Sequence, residues 1–282
     1  MNFIEFFRDL RQSQPALILA GFGFFALFLV LSAAALFDSQ QILGINRWIK
    51  PLKFAVSIAV YIVTLAVYLH FLRGFESAAK RIGWGAIAVL SAEMVLIVMQ
   101  AARGATSHFN VAAPFDGAVY AAMGVLIGVN TLLAVYVAFL YFRAEFDLPP
   151  AIVWGMRLGL IVFLLGSVQG GYMSAQTGHA VGAADGGAGL PLINWSLENG
   201  DLRVAHFVGV HAIQAIPLAA LSFVAVGRRF ARFRPTILTV AFALIYAAAF
   251  SLVFYQALLG RPLLGEEITV VRAVSAQSKG DF

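Results

Sequence analysis

The residues of this chain with the greatest chemical capacity are four histidines and one glutamate in or beside long apolar segments. Glu93 is the sole charged residue of the run 82–102, and His206 and His211 lie in a second apolar run. His108 and His179 lie in polar segments that precede or follow such runs. An ionisable group inside an apolar span is costly, so each is a functional candidate.

Imidazole and carboxylate together predict a metal or haem site. Imidazole suits Zn, Cu and Fe, and without cysteine these two groups are the available strong ligands. His206 and His211 are expected as ligands, with His108 or His179 completing the sphere, and Glu93 transferring protons or orienting a ligand. Oxidoreduction is an activity that such a site could support, and the sequence does not decide whether the protein is an enzyme. Further residues are expected to bind the cofactor or substrate: Arg103, Arg203, Gln214 and Tyr255.

Helical spacing limits this hypothesis. At about 100° per residue, His206 and His211 lie roughly 140° apart, so they can line one cavity but are not an i,i+4 metal-gripping pair. Glu93 and Gln100 share one face within about 20°. The sequence therefore predicts a lined cavity more directly than a single coordination sphere.

Other functions fit the same residues. Glu93 suits a proton-coupled transporter of a small solute. A scaffold or accessory subunit, in which polar groups only pack helices, is a further alternative, because such groups commonly bond helices together. A zinc-dependent lipid hydrolase is a lesser one.

The composition indicates a membrane protein. Of 282 residues, 61% are hydrophobic and only 12% are charged, whereas soluble domains carry about 25% charged residues. The net charge of +5 comes from loops that flank apolar runs, so it does not indicate nucleic-acid binding. The absence of cysteine excludes disulfides and thiolate metal sites.

Seven apolar runs are long enough to cross a bilayer, which needs about 20 helical residues. We expect an all-α polytopic bundle in contact with lipid, with residues 1–14 as an interfacial amphipathic segment, 15–260 as the transmembrane domain and 261–282 as a polar tail. The predicted spans are 15–37, 52–72, 82–102, 117–142, 151–175, 204–226 and 236–259.

The distribution of Lys and Arg predicts a cytoplasmic N-terminus. The loop around Arg228–Arg234 is the strongest indicator, since basic loops stay inside. The candidate residues then fall in the extracytoplasmic half, where they would meet a small molecule or metal at the outer face. The glycine-rich segment 178–201 is long for a connector and is expected to fold over the bundle as a lid.

Two segments carry a family resemblance. Residues 100–110 (QAARGATSHFN) and 189–214 (GLPLINWSLENGDLRVAHFVGVHAIQ) resemble a family of bacterial polytopic membrane proteins with no assigned activity. The resemblance implies a bacterial inner-membrane location. It transfers no functional residues, so the site rests on the residues themselves.

Overall fold

The described part of the chain folds as an all-α bundle with seven helices long and apolar enough to cross a membrane. The computed structural model describes residues 3–187, 189–230 and 232–264. The long helices are α2 (Pro15–Phe37), α3 (Ile49–His70), α4 (Glu76–Ala102), α5 (Pro114–Arg143), α6 (Pro150–Ala175), α7 (Leu202–Gly227) and α8 (Pro235–Leu258). This confirms the predicted fold class, and the predicted spans agree within six residues at each end. The cytoplasmic N-terminus stays a prediction.

A short helix, α1 (Phe3–Ser13), precedes the spans. Leu10 is buried, and the Ser13 hydroxyl lies 2.7 Å from Nδ1 of His70 at the end of α3. This helix therefore packs against the bundle, while its lying in the membrane interface remains a prediction. Most of the proposed polar tail, residues 265–282, lies outside the described residues.

Proline starts four of the spans. Pro15, Pro114, Pro150 and Pro235 each occupy the first turn of a helix. The first turn tolerates proline because its N–H groups have no intrahelical acceptor and its φ angle is already helical. These prolines thus mark the residues at which four of the membrane-spanning helices begin.

Helices α6 and α7 meet along a seam of small residues. A Cβ placed on Gly166 would lie 2.6 Å from the backbone carbon of Gly209, and one on Gly159 would lie 3.0 Å from the Ala212 carbonyl. Such contacts let the helix backbones approach closely. The van der Waals packing that results is one of the forces that hold helices together inside lipid. The seam fixes α7, which carries two of the candidate histidines.

Pro217 interrupts α7 and leaves a carbonyl without its helical donor. The Tyr68 hydroxyl of α3 donates to that carbonyl, Ile213 O, at 3.0 Å, and also approaches Met156 O at 3.3 Å. A buried tyrosine thereby satisfies the backbone group that proline frees. Tyr68 is a structural residue.

Two small β-ladders lie in the loops at one end of the bundle, called here the outer end. This end is formed by residues 38–48, 103–113, 176–201 and 259–264. β1 (Gln41–Ile42) pairs antiparallel with β2 (Ile45–Asn46), and β3 (Ala180–Val181) pairs with β4 (Gly200–Asp201). The second ladder closes segment 182–199 into a compact loop beside α7.

Candidate functional site

The segment between α4 and α5, residues 103–113, brings a histidine onto the buried glutamate. The Nε2 atom of His108 lies 3.8 Å from the Oε1 atom of Glu93. The His108 ring packs against Phe54 of α3 with ring centroids 5.3 Å apart, and Ser107 is buried. Because Glu93 lies roughly 14 Å from the end of α4, this loop folds back into the bundle.

Glu93 is enclosed but has no hydrogen-bond partner. Its exposed fraction is 1%, and neither carboxylate oxygen is bonded by any group in the described part of the chain. At 3.8 Å the contact with His108 is too long for a hydrogen bond. Buried polar groups without partners are rare in proteins and call for an explanation.

His108 is held in its neutral form. Burial, followed by the positive charge of Lys50 and the nearby His206, keeps the pKa of His108 well below its ordinary value. A neutral imidazole adds little charge stabilisation to Glu93. The pair is therefore a carboxyl group facing a neutral base, and not an ion pair.

Lys50 is a further titratable residue of the site. It stands in the first turn of α3 and interacts electrostatically with both Glu93 and His108. It forms no hydrogen bond or ion pair within the described residues. We call Glu93, His108 and Lys50 the Glu93 cluster. Sequence reasoning missed Lys50 because a lysine at the start of a span resembles a topology signal.

His206 lies at the edge of the Glu93 cluster, on α7. Its Nδ1 atom is 3.0 Å from the Gly166 carbonyl, so Nδ1 carries the proton and Nε2 has a free lone pair. The ring fits because a Cβ on Gly170 would lie only 2.6 Å from its Cε1 atom. The seam of small residues thus positions this imidazole.

His211 has its own partners on α7. Its Nδ1 atom lies 3.3 Å from Oε1 of Gln214, and its ring packs on Phe207 with centroids 4.4 Å apart. Gln214 in turn donates to the Thr64 hydroxyl of α3 at 3.1 Å. His211 and Gln214 together link α7 to α3.

His179 belongs to a closed loop structure. Its Nδ1 atom lies 2.6 Å from Asp185 Oδ2, and the backbone N–H groups of His179 and Ala180 each donate to Asp185 Oδ1 at 2.9 Å. Burial alone would raise the pKa of Asp185, but these donors lower it below its ordinary value. The His179 ring also stacks on Phe109, with centroids 6.4 Å apart.

Arg203 is fully engaged by an acid at the start of α7. Its side chain donates to Asp201 at 2.6–3.2 Å and to the Asn194 carbonyl. Asp201 also accepts from the Ser196 and Arg203 backbone N–H groups. Burial alone would raise the pKa of Asp201, but these donors lower it below its ordinary value. Arg203 therefore anchors the loop.

Arg103 is likewise paired. Its guanidinium donates to Asp116 at 2.8 Å and to Gln100, and it lies over the Phe115 ring at 4.5 Å. Gln100 donates to the same carboxylate at 2.9 Å. This trio joins the end of α4 to the start of α5.

Tyr255 lies apart from the Glu93 cluster. Its side chain is 60% exposed on α8, which is a lipid-facing position in a bundle of this kind. Its neighbour Gln256 donates to the Pro262 carbonyl at 2.6 Å. The structure therefore brings Glu93, His108 and His206 together, and leaves His179, His211, Arg103, Arg203, Gln214 and Tyr255 with other partners or surroundings.

The loop 176–201 contacts the bundle, and its acting as a lid stays a prediction. The Lys53 amino group donates to the Ile193 carbonyl at 3.3 Å, and the Trp195 ring packs on Phe207 with centroids 5.7 Å apart. These contacts tie the loop to α3 and α7.

The geometry does not fit a metal centre made of the four outer histidines. Within the described ranges, no group of three His, Cys, Asp or Glu residues is arranged to hold a metal ion. Comparison of the chain with protein-family models, with curated proteins and with solved structures finds no match.

Proposed function

We propose that this integral membrane protein is a proton-coupled transporter of a small solute, with Glu93 as its proton-binding group. One observation carries the proposal: Glu93 is enclosed in a span, 1% exposed, and has no hydrogen-bond partner in the described part of the chain. A permanently charged carboxylate of this kind would be destabilising. A carboxyl group that gains and loses a proton has a reason to be kept there.

The surroundings of Glu93 support proton exchange. His108 is a neutral base whose Nε2 atom lies 3.8 Å from the carboxylate, a gap that one bridging water or solute group can shorten. Burial disfavours an ionised carboxylate, and a positive charge brought near it favours that form. Two opposing influences let a modest change in surroundings move the proton.

Proton-coupled uptake by reconstituted protein tests the proposal. The protein is placed in liposomes that enclose a pH-sensitive dye, and an amino acid, a sugar, a dicarboxylate or a divalent cation is added outside. We expect one of these classes to change the internal pH, because coupled transport moves protons with its solute. Glu93→Gln should remove the pH change, while Glu145→Gln, an exposed acid in the loop before α6, should retain it.

Two outcomes contradict the transporter proposal. One is a folded wild-type protein that moves no protons with any of the four solute classes. The other is a Glu93→Gln variant that moves protons as the wild type does. In either case the scaffold or accessory role gains weight, since Asp116, Asp185 and Asp201 are bonded as structural groups are.

Metal or haem binding is the second candidate, carried by the free Nε2 lone pair that His206 directs away from Gly166. A ring that donates through Nδ1 to a carbonyl is the usual arrangement of a metal-bound histidine. Absorption spectra of oxidised and reduced protein, with elemental analysis, test this candidate. A stoichiometric metal lost in His206→Ala would favour it, and a metal-free folded protein would count against it.

A further inference from the structure

A second incompletely bonded polar pair lies deeper in the bundle. The Asn130 amide of α5 donates to the Tyr61 hydroxyl of α3 at 3.3 Å. Asn130 is only 7% exposed, and its Oδ1 atom has no partner in the described part of the chain. Tyr61 stacks on Phe163 of α6 with centroids 5.7 Å apart, so three helices meet at this pair.

The unused groups of this pair match a water molecule. When the Asn130 amide donates to Tyr61, the Tyr61 hydroxyl proton is a free donor and Asn130 Oδ1 is a free acceptor within the described residues. If the amide is turned over, Tyr61 donates to Asn130 and the amide N–H groups are left instead. Water satisfies either arrangement, because it donates and accepts hydrogen bonds. An apolar ligand satisfies neither.

The pair lies on the inward side of the Glu93 cluster. Phe54, which packs on His108, and Tyr61 are seven residues apart on α3, so they share one face of the helix. α3 runs from the outer end inward, which puts Tyr61 about 10 Å deeper than Phe54. Going from the loops of the outer end toward the middle of the membrane, the Glu93 cluster comes first and the pair of Tyr61 and Asn130 comes next.

We propose that Tyr61 and Asn130 bind an internal water that relays the Glu93 proton toward the inner side. This inference rests on the proposed function of Glu93. A proton leaving the Glu93 carboxyl enters a chain of waters at one end, and a proton leaves the same chain at its inner end. The water between Tyr61 and Asn130 gains one proton and releases another, so no charge stays on either side chain.

The test measures how fast Glu93 exchanges its proton with each side of the membrane. The infrared band of the protonated carboxyl, assigned by subtracting Glu93→Gln, is followed in liposomes of uniform protein orientation. The pH is stepped outside by rapid mixing, or inside by light-released acid. In Tyr61→Phe and Asn130→Leu we expect the response to the inside step to slow by on the order of tenfold or more.

The response to the outside step should not change in these variants, which shows that the site is folded. Tyr246→Phe is the matched control, since this tyrosine of α8 donates to the Val208 carbonyl at 2.7 Å away from the pair. An unchanged inside response in both variants overturns the relay and leaves the proton role of Glu93 standing. A carboxyl band that responds to neither step overturns the proposed function itself.

Discussion

Two carboxylates in the outer half of this bundle are almost equally buried but differ in their hydrogen bonding. Asp201 is 3% exposed and accepts from two backbone N–H groups and from the Arg203 guanidinium. Glu93 is 1% exposed and accepts from no group in the described residues. Burial alone therefore does not separate a structural acid from a functional one.

What separates them is how much of each acid's hydrogen-bonding capacity is used. A structural acid is stabilised by bonds that would be lost on protonation, so its proton is hard to add. An acid without such bonds loses little when it is protonated. The chain satisfies Asp201, Asp185 and Asp116 with nearby donors, and leaves Glu93 free to change.

The largest expected change in the free energy of unfolding is at Asp201, whose carboxylate accepts several hydrogen bonds. Asp201→Asn should lower the free energy of unfolding by about 2–3 kcal/mol, because it leaves the Arg203 guanidinium and two N–H groups poorly paired. Chemical unfolding in mixed micelles measures this change. Asp147→Asn, an exposed acid before α6, is the matched control and should stay within about 0.5 kcal/mol. An Asp201→Asn variant with the unfolding free energy of the wild type would contradict the distinction drawn between Asp201 and Glu93.

The pH dependence of the outer loop follows from the same bonds. The folded-state pKa values of Asp185 and Asp201 lie below their ordinary value of 3.8. The stability they contribute is therefore present above that value, and is lost as the pH falls through the lowered folded-state pKa. Pepsin digestion at decreasing pH should cut loop 176–201 faster below about pH 4. Equal cutting rates above and below that point would contradict the assignment.

Two tyrosines of α3 repeat the contrast at a smaller scale. Tyr68→Phe should cost about 1 kcal/mol, because it leaves the carbonyl freed by Pro217 without its donor. Tyr61→Phe should cost less, about 0.5 kcal/mol, because it removes only the long 3.3 Å bond that the hydroxyl accepts from the Asn130 amide. Thermal unfolding of both variants in the same detergent compares them. Equal losses of stability in the two variants would contradict the distinction between Tyr68 and Tyr61.

The smallest expected stability effect is at Glu93 itself. Glu93→Gln should leave the free energy of unfolding unchanged within about 1 kcal/mol, or raise it, because no bond is lost and a buried charge is removed. The same unfolding assay as for Asp201→Asn measures it. A loss as large as that of Asp201→Asn would make Glu93 a structural acid.

The fold was predictable because the bilayer imposes it. Runs such as 15–37 leave the backbone only the helix as a way to satisfy its polar groups in lipid. Glu93 was also recognisable, as a lone charge in a span. The sequence did not reveal that residues 103–113 fold back to place His108 on Glu93, because loop paths depend on tertiary contacts such as the one with Phe54.

Several site residues were predicted from residue type alone and proved to have other partners. His179 is bonded to Asp185, and Arg203 to Asp201. The partners are six and two residues away along the chain. Their spacing was visible, but whether a loop closes on itself depends on backbone geometry that sequence patterns do not specify.

The proton occupancy of Glu93 is the most direct test of the account. Infrared spectra of the reconstituted protein, recorded from about pH 4 to 10 and compared with Glu93→Gln, isolate the carboxyl band of this residue. The account predicts a band that is present at low pH and disappears as the pH rises, with no loss of helix. A band that keeps one intensity across the range would contradict it, because Glu93 would then never exchange its proton.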